Sequence, residues 1–383
     1  MQKICCLIFV VASMVLSAIF YSCSSKHDDT EVCHLMIPDV PLPNGEGIEV
    51  DSVIFIPLDH SDDSPVLSMI NRVEFLDSLI IIQDISGVYV YNQDGKYQFQ
   101  LGTKGHGRGE YVNASTVFVN HADNTISLID TYQGKILVYD ESGHFLRALS
   151  APNSAFDLSY RADYLSGKSL ITAEYMIRNR NSAFKWIDME KQECKEIASY
   201  LFTSAETKEH CGSHPYSIYN NEVRYVLPFD PHIYSFSDGV SSISYEFYTR
   251  KKILSPQELE KYKTYRMWDI QQYMKDNVYV GYYDIFELSK YIIVSNYLEY
   301  IVIDKTSENL RFYKFSFGDS MENFPISRIY STKDDFLVSV FSTVELSALS
   351  TILKKGSKYQ RLVKNQVSSS DEYQTYIILY HFQ

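Results

Sequence analysis

Between Leu79 and Leu101 the chain alternates short apolar runs with polar breaks: Leu79 to Gln83 closing on Asp84, Val88 to Tyr91, then Lys96 to Leu101 after Asn92-Gln93-Asp94-Gly95. Runs of this length and spacing predict strands. Asp-Gly between two of them predicts a hairpin, because glycine takes positive φ without a Cβ clash. The pattern returns 48 residues later, where Val90, Tyr91, Gly95, Tyr97 and Leu101 fall on Val138, Tyr139, Gly143, Phe145 and Leu149. A unit built only of strands and recurring every ~40–50 residues is the signature of propeller blades, each of about four strands.

Followed along the chain, the pattern predicts a first blade over about 66–102 and a second over about 113–150. Further blades fall within 155–197, 216–248 and 279–317, and a sixth uses 327–341 with the apolar run 376–382. That last run and the early one at 48–58 come from opposite ends of the strand-bearing stretch. Pairing them closes the ring and removes the edges an open sheet would expose. The strand rhythm breaks once, at Ser255-Pro256-Gln257-Glu258, where a capping Ser, a Pro at the first helical position and a Glu three residues after the cap predict a helix start. Leu259, Tyr262, Met267, Ile270 and Met274 follow at helical spacing, so a helix is expected over about 255–276, with a shorter one near 345–354. The expected fold is all-β: a six-bladed β-propeller closed by pairing of its N- and C-terminal strands, with one helical insertion.

Composition supports a folded body: 45% of the 383 residues are hydrophobic, enough for a sizeable core. The 32 tyrosines against 2 tryptophans suit strands and amphipathic binding surfaces alike. A net charge of −13 argues against gripping phosphate backbones, so nucleic acid is not an expected partner. The first 22 residues read as a targeting segment, with Lys3 before an almost uninterrupted apolar run from Ile4 to Phe20. Its boundary falls at Cys23 rather than at a small-x-small site. Residues 23–47, with Pro38, Pro41, Pro43, Gly45 and Gly47, lack periodicity and are expected to tether the folded body, 48–383. With Cys5 and Cys6 in the targeting segment, Cys33, Cys194 and Cys211 remain; no CxxC occurs, and a Cys194–Cys211 bridge stays open.

These residues carry a resemblance. The apolar boundary at Cys23 resembles a bacterial lipoprotein signal, which implies lipidation of Cys23. The strand closing on Asp84, Val90-Tyr91 to Gly95-Lys96, the loop Gly105-His106-Gly107-Arg108-Gly109-Glu110-Tyr111, the second such unit and the terminal Tyr-Ile-Ile-Leu-Tyr strand resemble the six-bladed β-propeller lipoproteins of the Bacteroidota, related in blade grammar to NHL-repeat propellers. The resemblance covers nearly the whole chain after Cys23. It implies fold and an outer-membrane-anchored location in the cell envelope, and says little about chemistry.

The glycine-rich loop is not a phosphate cradle, since Glu110-Tyr111-Val112-Asn113 opens no apolar helix and supplies no Gly-Lys-Ser/Thr. It reads as a blade junction in which Glu110 accepts backbone N–H bonds, with His106, Arg108 and Glu110 as candidate ligand contacts. Asp84, Asp130 and Asp304 each close an apolar strand. They are candidate ligands for a hard cation such as Ca²⁺, or caps for their own turns, the reading favoured here. His232 is the first histidine to consider as a Zn²⁺ ligand or binding residue. No HxH spacing and no Gly-x-Ser-x-Gly elbow occurs, and no cofactor is expected. The expected function is a lipid-anchored module that binds a peptide, a glycan or an envelope protein. The competing class is a metal-dependent propeller enzyme, a lactonase or a lyase.

Overall fold

The computed structural model describes residues 32–37, 50–150, 152, 159–175, 182–201, 212–259, 273, 275–296, 300–307, 309–313, 324, 328–368 and 373–382. Within them the chain forms a six-bladed β-propeller, each blade built on a four-stranded antiparallel sheet. Blade I runs from the channel outward through Ile70–Leu76, Leu79–Asp84, Gly87–Asn92 and Tyr97–Gln100. Blade II uses Ala114–Asn120, Thr125–Asp130, Lys135–Asp140 and Phe145–Ser150. Blade III uses Ser159–Ser166, Ser169–Glu174, Ser182–Asp188 and Glu193–Ser199. Blade IV uses Tyr216–Tyr219, Glu222–Val226, His232–Ser237 and Val240–Tyr248. Blade V uses Asp284–Glu287, Tyr291–Ser295, Tyr300–Asp304 and Leu310–Tyr313. Blade VI has three strands from the far end of the chain, Ile329–Lys333, Phe336–Ser342 and Thr375–Phe382, and takes its outer strand, Val50–Pro57, from the beginning.

The core lies between the blades. In the second strand of blade I, Ile81 packs with Val117 and Leu128 of blade II, while Ile80 and Ile82 pack with Val338 and Ile377 of blade VI. Val88 and Val90 turn to blade II; Tyr89 and Tyr91 turn to blade VI. A strand buried on both faces reads as a continuous apolar run, which is why Leu-Ile-Ile-Ile does not alternate. The 48-residue echo is structural too: Tyr91 meets Tyr97 edge-to-face at 5.6 Å, and Tyr139 meets Phe145 in the same way at 5.8 Å.

Two features depart from the sequence pattern. Cys33–Met36, inside the stretch expected to be a tether, forms a fifth strand on blade IV, parallel to its outer strand, with Leu35 opposite Phe247. Leu35 is 3% exposed against Val226 and Ile233, so this segment belongs to the folded body. The insertion after blade IV begins as expected: α1, Pro256–Leu259, carries the Ser255/Glu258 capping box, with the Ser255 N–H 2.9 Å from Glu258 Oε2. Residues 260–272 of that expected helix lie outside the described residues, as do Cys23 and Cys211. Between the second and third strands of blade VI there are two helices, α2 (Thr343–Ile352) and α3 (Lys358–Ser368), where a single stretch was expected. They cover the blade V–VI layer through Leu346, Leu349, Tyr359 and Val363. Among the described residues no helix is long and apolar enough to cross a membrane.

Candidate functional site

The inner strands of blades I, II, III and V all begin at one end of the central channel, and the turns after the second strands share that end. There the structure has a cavity of about 780 Å³, lined near the strand starts by Asn71, Ala114, Ser159 and Asp284. Its wall is mostly amide and hydroxyl, with Gln83, Asn113, Thr131 and Ser213, and with the stacked Tyr160–Tyr175 pair, whose rings are 4.5 Å apart. A second cavity of about 220 Å³ lies nearer the far ends of the same strands, and Arg161 and His214 line both, so they stand between the two.

An ion-pair lattice bars the channel at this level. Arg72 is 4% exposed and spends its donors on three blades: Nε on Glu74 Oε1 at 2.5 Å, Nη1 on Thr116 Oγ1 at 2.9 Å, and Nη2 on Asp163 and on the Ala162 carbonyl at 3.1 Å. Burial alone would make this guanidinium less basic, but Asp163 and Glu74 outweigh it and hold Arg72 charged. Arg161 Nε donates to Asp163 Oδ2 at 3.0 Å, and its guanidinium lies over the Tyr216 ring at 4.8 Å. Burial, aided by Arg161 and Arg72 and opposed weakly by the Tyr330 carbonyl, holds the His214 imidazole well below its ordinary range. The Asp284 carboxyl is pushed up by burial, against hydrogen bonds from the His214 N–H at 2.6 Å and the Ser213 hydroxyl at 3.3 Å.

The residues singled out from sequence lie elsewhere or serve turns. Glu110 folds back on its own loop, with Oε2 accepting from the Gly107 N–H at 2.8 Å. Arg108 sits over the Phe145 ring at 5.8 Å, on the outer strand of blade II, and neither it nor His106 lines the channel cavities. His232 bonds Asp230 Oδ1 through Nδ1 at 2.6 Å and faces Glu246, which also meets His34 of the added strand at 3.2 Å; this cluster is at the outer edge of blade IV. Asp84 lines the cavity, but its oxygens accept from the Ser68, Met69 and Ser86 N–H groups and the Ser86 hydroxyl. Burial raises its pKa, and those bonds more than offset the rise. Asp130 accepts from Val112, Tyr132 and Gln133, and Asp304 from Thr306 and Ser307, which lower it to about 2. Asp84 and Asp130 end second strands and Asp304 ends a third, so the three sit in different turns and do not converge. Among the described residues no three His, Cys, Asp or Glu side chains are grouped to hold a metal ion.

Sequence reasoning missed Arg72, Glu74, Arg161, Asp163, His214 and Asp284. One signal was available: Arg72-Val73-Glu74 and Arg161-Ala162-Asp163 repeat an Arg-x-acid step on the inner strands of blades I and III. Residues two apart on a strand share a face, so each step aims both charges at the channel.

A closed six-bladed ring, barred by ion pairs and opening on one face into a polar cavity, defines the protein's class: a propeller whose candidate site is the mouth of its channel. The chain belongs to the family described as a domain of unknown function, DUF4934, which matches residues 48–380. A protein from Bacteroides fragilis NCTC 9343 described as exported shares its fold, with a TM-score of 0.68 and 20% identity over 92% of this chain and 99% of that one. A DUF4221 family member from Bacteroides vulgatus ATCC 8482 is similar at a TM-score of 0.51 and 10% identity, over 88% and 98% of the two chains. No curated protein matches.

Proposed function

We propose that this protein is an exported, lipid-anchored binding module of the cell envelope, holding a small polar ligand in the cavity at the mouth of its channel. The observation that carries the reading is that cavity: about 780 Å³, lined by amides, hydroxyls and tyrosines, with a charged lattice at its base. This volume and the few convergent polar groups are what small-molecule sites present. Asp84, Asp130 and Asp304 spend their oxygens on turns, which leaves the metal-enzyme reading without its expected ligands. Export and anchoring through Cys23 are supported by the apolar leader that ends there and by the exported description of the Bacteroides fragilis neighbour.

The test uses the full chain, purified in detergent, on arrays of immobilised glycans and peptides, beside Ser115→Trp, which fills the cavity from its wall. Capture by the wild type that falls at least about tenfold in the variant, as when a core contact is lost, supports the reading. Capture indifferent to Ser115→Trp moves the ligand off the channel mouth. For the anchor, Cys23→Ala is expected to release the protein from the membrane fraction; retention there would sink the lipid proposal.

A further inference from the structure

The cavity offers more than polarity, because its unused groups have a definite sense. Its two carboxylates are spent, Asp84 on turn N–H groups and Asp284 on His214 and Ser213. Its three cations, Arg72, Lys104 and Arg161, are not all spent. Arg72 is saturated, but Arg161 uses only Nε on Asp163, and among the described residues its two Nη groups meet no hydrogen-bond partner. Tyr216 covers one face of the guanidinium and leaves the Nη edge.

Beside it, His214 is 3% exposed, and its Nε2 is buried without a partner in hydrogen-bonding geometry. The Ser213 hydroxyl meets both Asp284 Oδ1 and His214 Nδ1 at 3.3 Å, and the Tyr330 backbone carbonyl acts on the ring as an acceptor. Nε2 is the ring nitrogen left unpaired. An unmet cation edge, open to the cavity, next to a buried unpaired ring nitrogen asks for a ligand that carries an anion and a hydroxyl side by side. Leaving such groups unpaired is costly, and a ligand that pairs them recovers that cost.

We infer that the channel mouth recognises a small hydroxy acid, such as a sugar acid: its carboxylate lies on the Nη edge of Arg161 and a neighbouring hydroxyl, able to donate or accept, pairs with His214 Nε2. The wall of hydroxyls and amides then meets the remaining hydroxyls of a sugar acid. This rests on the reading of the cavity as a binding site and names what it holds.

The test is calorimetric titration of the full chain in detergent with glucuronate and glucose, glycolate and acetate, and N-acetylglycine, in the millimolar range. Glucuronate is expected to bind about tenfold or more tighter than glucose, the weight of one charge-assisted contact, and glycolate tighter than acetate. Arg161→Gln should erase the first preference, with Arg161→Lys keeping part of it, and His214→Phe should erase the second. Thermal unfolding of each variant separates lost binding from lost folding, and the wild-type panel needs no variant. Equal binding of glucuronate and glucose overturns the assignment while leaving the cavity reading to Ser115→Trp, as does binding of none of these probes. N-acetylglycine bound as tightly as glycolate overturns it in favour of a peptide C terminus.

Discussion

Arg72 is buried where a lone guanidinium could not be, and four acceptors from three blades are what hold it there. Removing it strands charge rather than merely deleting a contact. Arg72→Met is expected to lower unfolding free energy by roughly 3–5 kcal/mol, because Glu74 loses its bonded cation and Asp163 keeps only Arg161. Chemical denaturation measures this, and a loss under about 1 kcal/mol would mean that packing can replace the lattice. His214 makes the second prediction at this scale. Its folded pKa lies below the unfolded value of 6.5, so the unfolded chain takes up a proton that the folded one refuses. Stability is therefore full above that value and falls as pH drops through it, by at most about 1.4 kcal/mol per pH unit from this group. Asp284 acts in the opposite sense: its folded pKa is raised above 3.8, so its burial is least costly when it is protonated at low pH and costs more as pH rises. Comparing wild type with His214→Phe from neutral pH downward isolates the histidine, and the variant should lose less stability on acidification.

At the scale of elements, the turn that revealed the repeat also locks the blades together. Gly95 has φ +80°, and a Cβ placed there would stand 2.1 Å from the Pro57 carbonyl of the closing strand, while the Asp59 N–H bonds the Gly95 carbonyl at 2.7 Å. Gly134 has a similar φ of +63° but nothing within 4 Å. Gly134→Ala should cost about 1 kcal/mol from backbone strain alone, and Gly95→Ala distinctly more, since the backbone of the neighbouring blade must also move. Equal shifts in melting temperature would deny the contact any weight. Asp-Gly was legible in the sequence because its chemistry is local: a positive φ and a hairpin need only the residues that form them. Cys33–Met36 was not, because four residues of strand take their meaning from the edge of blade IV, 212 positions away in the pairing of Cys33 with Tyr245, and from Leu35 filling a layer built by others. The candidate site was illegible for the same reason. Arg72, Arg161, His214 and Asp284 are single polar residues at the starts of four separate inner strands or just before them, and only the ring brings them together. The glycine loop at 105–111 and the turns at Asp84, Asp130 and Asp304 are local features, and each is a real turn.

The whole molecule depends on one sheet that joins its two ends. In blade VI, Thr375–Phe382 lies between Phe336–Ser342 and Val50–Pro57, with Ile378 opposite both Ser339 and Phe55. A chain lacking residues 375–382 loses the middle of this sheet and the partners of Val338 and Leu337, and is expected to show no cooperative unfolding transition. A sharp calorimetric transition near the wild-type temperature would contradict that. The closure also sets an order of events. The strand at 50–57 emerges early from the ribosome and finds its sheet only when the strand at 375–382 has followed. Until then five blades stand as an open arc with an apolar face uncovered at each end, and the channel mouth, which needs Arg72 from the first blade beside Asp284 from the fifth, does not yet exist. Folding of this chain therefore ends in a late closing step: the ring, and with it the cavity, forms only once nearly the whole stretch from 50 to 382 is available to fold.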